Sequence, residues 1–250
     1  MTKRTLGRVL WRSFFLQAAW NYQGQQNLGF TAALQPGLES LHGPDSPAIR
    51  DALMKYLAPH NTQPYMAGPV LGSLLKAEEV VLAGGMRPEK LDRFRPAITA
   101  ALAAIGDAFF WSATLPTASV IGLFWSLRGR PVGAVIFFIL FNLAHLIVRV
   151  GGFYQGYRLG LEIIAILDRL HLPGAALKIR LFLSGVLGAL AIWCLEDPET
   201  GWSGFVPAWS GLGAVASIII LARLIRAGWP VEITIYGLLA ASLAWAYWLT

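Results

Sequence analysis

Asp107 is the sole carboxylate between Arg95 and Arg128, an apolar run of 32 residues. A lone acid in such surroundings costs several kcal/mol unless it is paired or wetted, which makes it a functional candidate. It lies in Gly106-Asp107-Ala108-Phe109-Phe110-Trp111, and that neighbourhood suits a sugar. A carboxylate accepts hydroxyl protons, and a ring such as Trp111 can cover the apolar C–H face of a pyranose. The alternative is a structural Asp capping a half-helix. Asn61, Thr62 and Gln63 form a second candidate group, uncharged and able to hydrogen bond, just before Pro64. Their alternative is helix capping alone, with Asn61 as the cap and Pro64 in the first turn. Glu78 and Glu79 either line a polar path or are solvated helix ends. Asn142 and His145 are three residues apart on one helix face. They either bond to a neighbouring helix or touch substrate. Arg149, Tyr154, Tyr157 and Arg158 continue toward the interface, where long side chains snorkel to water.

Other chemistries find little support. The four histidines show no metal-ligand spacing, and the single Cys194 builds neither a disulfide nor a thiolate metal site. No GxxxxGK[ST] loop occurs, which argues against ATP-driven pumping by this chain. Nothing marks a Ser/His/Asp hydrolase. The reading therefore expects no catalytic residue, no metal and no cofactor here.

The elements that must position these residues are membrane elements. Hydrophobic residues make up 56% of the 250 and charged residues 14%, with a mean hydropathy of +0.55. Too few polar groups exist to coat a globule, which excludes disorder, a coiled coil and an ordinary soluble enzyme. The net charge of +6 reads as membrane topology rather than nucleic-acid binding. Residues 1–95 carry 18 charged side chains and the remaining 155 residues only 16. The polar first third is expected in or on water, the rest mostly in lipid.

Arg4, Arg8 and Arg12 recur every four residues, opposite Leu6, Val9, Leu10 and Phe14. That pattern predicts an amphipathic helix lying on an anionic leaflet, the alternative being a helix packed on a core. Turn formers follow, a short helix is expected over 48–57, and an apolar helix after Pro64 ends near Lys76–Glu79. A single helix over 96–127 would reach about 48 Å, beyond a hydrocarbon core of about 30 Å. With Gly106 and Pro116 inside it, a broken or re-entrant pair is expected. Further spans are expected over 131–148, 181–195, 205–222 and 233–249. The flanking charges place 178–180 and 223–226 in the cytoplasm and the carboxyl end outside.

The expected fold is an all-α integral membrane protein. It has an interfacial helix (1–22), a polar juxtamembrane region with a re-entrant NTQP segment (23–95), a membrane core (96–227) and a C-terminal transmembrane helix (228–250).

Several ordered blocks resemble one family. They are Trp11-Arg12-Ser13-Phe14-Phe15-Leu16-Gln17 with Trp20-Asn21, Asn27-Leu28-Gly29-Phe30, Asn61-Thr62-Gln63-Pro64-Tyr65-Met66-Ala67, Pro69-Val70-Leu71-Gly72 with Glu78-Glu79, and Gly106-Asp107 through Trp111. Phe137 to Leu143 and Gly156-Tyr157 before Gly160 extend the match. Together they resemble the IID membrane component of mannose/fructose/sorbose-type sugar phosphotransferase systems.

The resemblance implies a multi-pass subunit of the bacterial cytoplasmic membrane, paired with a IIC subunit in a trimer of IIC–IID heterodimers. The pair builds a hexose path, and cytoplasmic IIA/IIB (IIAB) proteins phosphorylate the sugar. No phosphorylated residue is expected on IID itself.

This sequence departs from the family pattern in three places. The family's polar insertion before the last membrane elements shrinks to about ten residues, 196–205. Alanines stand at Ala100-Ala101 where the family has Gly-Pro, and Ser112-Ala113-Thr114-Leu115-Pro116 replaces Gly-Thr-x-Arg-Pro. A non-transporting regulatory or scaffold subunit is therefore carried as the alternative to a transporter. An unrelated amphipathic membrane-binding protein is a third reading, if the blocks coincide by chance.

Overall fold

The computed structural model describes residues 1–165, 172–196, 216, 219–220, 222–230, 236–237 and 240. The chain forms two units, 1–184 and 185–250. The expected spans over 205–222 and 233–249 lie almost wholly outside the described residues. In the second unit, Gly228 (φ 87°) follows a helical turn, and the Gly228 and Trp229 amides close onto the Ile225 and Leu224 carbonyls.

The first unit is helical. Its helices are α1 (Lys3–Ser13), α2 (Asn27–His42), α3 (Pro47–Tyr56), α4 (Ala67–Leu82), α5 (Pro88–Gly106), α6 (Leu115–Leu127), α7 (Val132–Leu146) and α8 (Gly152–Leu159). The unit boundary falls within α9 (Leu172–Glu196). Starts follow local chemistry. The Thr2 hydroxyl accepts from the Thr5 amide, and the Ser46 hydroxyl from the Ile49 amide just ahead of Pro47. Asn61 does not cap the next helix. The Gln63 side chain does, accepting from the Tyr65 and Met66 amides over a 3-10 turn, Pro64–Met66, that leads into α4. A Gln carbonyl two residues nearer the turn reaches amides that Asn61 cannot.

The polar first third supplies most of the core. Val9, Phe30, Leu34, Leu38, Leu71, Leu74, Leu75, Leu91 and Ile98 are fully enclosed. Leu6 and Val9 join this cluster as α1 packs on α2 and α4. Leu6 and Val9 of the amphipathic stripe thus face protein, while the rings Trp11 (65% exposed), Phe15 (56%) and Phe14 (37%) point outward. The cause is neighbourhood: α2 and α4 offer Leu6 and Val9 an apolar surface already within reach.

α4 and α8 cross closely. Gly68-x-x-x-Gly72 on one meets Gly152-x-x-x-Gly156 on the other, and a Cβ at Gly72 would lie 2.1 Å from the Phe153 carbonyl oxygen. Small residues let two backbones touch, gaining dispersion contacts that larger side chains would prevent.

Among the described residues, two helical rods are long and apolar enough to cross a membrane, Pro88–Leu127 and Val132–Ala165. Only 11% of the second rod's most apolar stretch is buried, so its side chains need lipid or a partner rather than a core of their own. They fold back on one another at the turn 128–131, where α6 packs on α7. The chain does not reverse inside 96–127. Its interruption is a π-helical segment, Asp107–Thr114, between α5 and α6. Pro116 removes one backbone donor there. The Thr114 and Thr117 hydroxyls, bonded to the carbonyls of Phe109 (2.9 Å) and Ala113 (2.7 Å), keep neighbouring acceptors satisfied while the helix continues. A second π segment, Ile147–Gly151, joins α7 to α8.

Candidate functional site

The segment carrying Asn61, Thr62 and Gln63 is pinned from two sides. The Gln26 side chain acts as a surrogate peptide, donating to the Thr62 carbonyl (2.8 Å) and accepting from the Thr62 amide (3.1 Å). The backbone of Gln26 donates to the His60 carbonyl, and the His60 amide donates to Gly24. Thr62 and Gln63 are both 2% exposed, while Asn61 is open. Asn61 borders a cavity of ≈ 330 Å³ together with Tyr56, His60, Arg95 and Thr99. His60 stacks on Phe30 with ring centroids 3.6 Å apart. Burial, assisted by the Arg95 charge, pushes its imidazole down to about 3 and keeps it neutral.

Gln63 in turn meets the membrane rod. A Cβ on Gly106 would come within 2.5 Å of the Gln63 Cβ, so the segment rests directly against the turn that begins the first π segment. The next residue, Asp107, is exposed; its carbonyl accepts from the Ser112 hydroxyl (3.4 Å), and its carboxylate makes no hydrogen bond or ion pair among the described residues.

Tyr65 gathers the rest. Its ring makes edge contacts with Phe110 (5.0 Å) and Phe141 (5.6 Å), a tilted contact with Trp111 (5.8 Å) and a stack with His145 (4.5 Å). Arg149 lies over the same ring at 5.7 Å and over Phe14 at 4.9 Å. It also donates through Nη2 to the Pro64 carbonyl at 2.5 Å. Arg149 is 5% exposed, so it does not snorkel: the Pro64 oxygen and two aromatic faces hold it inside. π segments mark functional positions in helices more often than chance, and here both flank Tyr65.

The structure therefore brings Gln63, Trp111 and His145 together around Tyr65, with Asp107 one residue beyond the Gly106 contact. Asn61 opens to the neighbouring cavity, and Thr62 ties the two. The other candidates lie elsewhere. Glu78 is not a solvated helix end: it is 6% exposed and accepts from the Tyr56 hydroxyl at 2.7 Å, because α4 runs on to Leu82 and turns it into the core. Burial, followed by the Glu78 charge, raises that hydroxyl well above its ordinary value. Glu79 accepts from Lys76 (2.9 Å), Tyr157 (3.0 Å) and the Met1 amino group (2.9 Å). Asn142 bonds back to Phe138 of its own helix rather than across to another. Sequence reasoning missed Tyr65, Arg149 and Gln26 as site residues. An arginine interrupting an apolar run was a signal for the second; Tyr65 and Gln26 had none beyond their blocks.

Residues 1–192 match the family described as the IID component of the mannose/fructose/sorbose family of phosphotransferase systems. The chain belongs to this family. The IID chain is 32% identical over 165 residues to the mannose-specific EIID component of Escherichia coli K12, covering 66% of this chain. The match spans 58% of that relative's length, under two thirds of it. With the sorbose-specific EIID component of Klebsiella pneumoniae it shares 28% identity over 193 residues, 75% of this chain and 69% of the relative. Its fold is similar to a solved structure described only as a membrane protein. That match has a TM-score of 0.68 and 30% identity, and covers 75% of this chain and 70% of the other. It is also similar to a chain in the cryo-EM complex of the mannose transporter ManYZ with microcin E492. There the TM-score is 0.61, the identity 26%, and the coverage 98% and 96%.

Proposed function

We propose that this IID chain forms, with a IIC partner, the path by which a hexose crosses the bacterial cytoplasmic membrane, coupled to phosphorylation by cytoplasmic IIA/IIB (IIAB) proteins. The observation that carries the reading is Asp107. An exposed, unpartnered carboxylate in a helix long enough to cross a membrane is too costly to face acyl chains. It demands a wet path or a polar partner. Trp111 follows on the same π segment, and Gln63 packs against the preceding Gly106, its buried Nε2 without a partner among the described residues. A carboxylate accepts from sugar hydroxyls, an amide N–H donates to a hydroxyl oxygen, and a ring suits the C–H face.

The IIC subunit completes the wall that the single chain leaves open, and the family assembly is a trimer of such heterodimers. Asn61 and Thr62 serve the same path from the cavity side, with Glu78, Glu79, Asn142 and His145 supporting it structurally. Phosphorylation on the cytoplasmic side makes the sugar an anion that cannot return, which supplies the driving force without a phosphorylated residue on this chain. Trp11 and Phe15 anchor α1 at the interface.

The test is uptake of labelled hexoses by membranes holding this chain with its IIC and IIAB partners. Asp107→Ala is expected to reduce uptake at least tenfold with unchanged assembly. Parent-level uptake by the variant removes Asp107 from the path. Failure of the parent to transport any hexose while still recruiting IIAB replaces transport with a scaffold role.

A further inference from the structure

The end of α4, the turn 83–87, the first turns of α5 and residues 159–162 surround an open cavity of ≈ 1040 Å³. Its polar wall carries Lys76, Arg87, Lys90 and Arg93 against Glu89 and Glu162. Lys76 is bonded to Glu79. Arg87, Lys90 and Arg93 make no ion pair among the described residues. Val80, Val81 and Leu161 supply an apolar wall to the same cavity.

The position of this groove is set by the membrane rods. The apolar run whose one charge is Asp107 begins at residue 96, and α5 begins at Pro88. At 1.5 Å per residue Arg93, Lys90 and Arg87 stand about 4, 9 and 13 Å outside that run. A bilayer adds roughly 5–8 Å of headgroup region beyond the hydrocarbon on each side. The second rod returns to the same level, since Leu159, Leu161 and Glu162 line the cavity near its end. Arg93 thus stands in the headgroup layer, and the long side chains of Lys90 and Arg87 can reach back toward it from the water side, none of the three in an ion pair among the described residues. The amino end of the 19-residue α5 adds its positive dipole end.

We propose that this groove binds the phosphate group of an anionic phospholipid, with Arg87, Lys90 and Arg93 on the headgroup and the acyl chains running along Val80, Val81 and Leu161. The chemistry recognised is a phosphate ester. A soluble phosphate offers the same charge, but it leaves the apolar wall unused and has no reason to be concentrated at this depth. Each cation near an anionic lipid surface contributes favourably and is screened by salt. The proposal does not depend on sugar transport.

The test uses the full chain with its IIC partner in nanodiscs of phosphatidylcholine alone or mixed with phosphatidylglycerol. Native mass spectrometry then reads the lipid retained after mild delipidation, and thermal unfolding is followed in parallel. Phosphatidylglycerol is expected to be retained and to raise the unfolding midpoint. The combined Arg87→Gln, Lys90→Gln, Arg93→Gln variant should lose retention several-fold while unfolding as the parent does in phosphatidylcholine. The combined Glu89→Gln, Glu162→Gln variant should retain more, an outcome that a misfolded variant cannot mimic. Equal retention by parent and the cation variant overturns the site. Inorganic phosphate protecting the phosphatidylcholine sample as well as phosphatidylglycerol does overturns the lipid assignment in favour of a soluble anion.

Discussion

Gly106 of the first membrane rod lies so close to Gln63 that an added methyl group would come within 2.5 Å of the Gln63 Cβ and 2.7 Å of the Met66 Cγ. The contact joins the segment bearing Asn61–Gln63 to the helix bearing Asp107. Gly106→Ala is expected to destabilise the chain by about 1–3 kcal/mol, the usual cost of overpacking, because a Cβ cannot swing aside as a side-chain tip can. Uptake should fall more than stability explains, as the displaced Gln63 leaves its place beside Asp107. Thermal unfolding and initial uptake rates measured on one preparation check both parts.

Arg149 offers the second test. Its guanidinium donates to the Pro64 carbonyl and lies over Phe14 and Tyr65, while its Nε has no partner among the described residues. Lysine keeps the charge but lacks the planar face and the second row of donors. Arg149→Lys is therefore expected to lose at least half of the uptake and about 1–3 kcal/mol of stability, and Arg149→Leu to behave similarly or worse. Full uptake by the lysine variant would reduce Arg149 to a simple charge.

How far the sequence alone reaches is visible in these two residues. The 48–57 helix appears at Pro47–Tyr56 and the 131–148 span appears as the first part of Val132–Ala165, because capping residues and apolar runs are local signals. The Gly106–Gln63 contact is not local. Glycine in a helix pattern signals either a break or a close approach, and only the packed neighbour decides which. The same ambiguity hid the α4–α8 crossing and left Gly106 and Pro116 open between a broken and a re-entrant helix, where the chain runs on through a π segment. Glu78 was misjudged for a related reason: α4 ended later than its charges suggested. For the site, Asp107 stood out by its isolation, whereas Tyr65 became legible only when two π segments and α7 converged on it.

The buried pair of Tyr56 and Glu78 gives a stability prediction independent of transport. Tyr56→Phe removes the hydroxyl at 2.7 Å and leaves the carboxyl of a 6%-exposed residue without its donor. A cost of about 1–3 kcal/mol is expected. Glu78→Gln in the Tyr56→Phe background should recover part of it, since a neutral amide is cheaper to leave unpaired than a carboxylate. Additive losses in the double variant would show that the two side chains are not coupled.

His60 sets a pH dependence. Its folded value is about 3 against an ordinary 6.5, held down first by burial against Phe30 and then by the Arg95 charge. Between these values the unfolded chain binds a proton that the folded chain refuses. Stability is therefore full above about pH 6.5 and declines as the pH falls toward 3. His60→Phe keeps an aromatic ring on Phe30 and cannot take up that proton. Its unfolding midpoint should start near the parent's at neutral pH and fall less steeply between pH 6 and 4. Parallel curves for parent and variant across that window would mean that the imidazole reaches water in the folded chain.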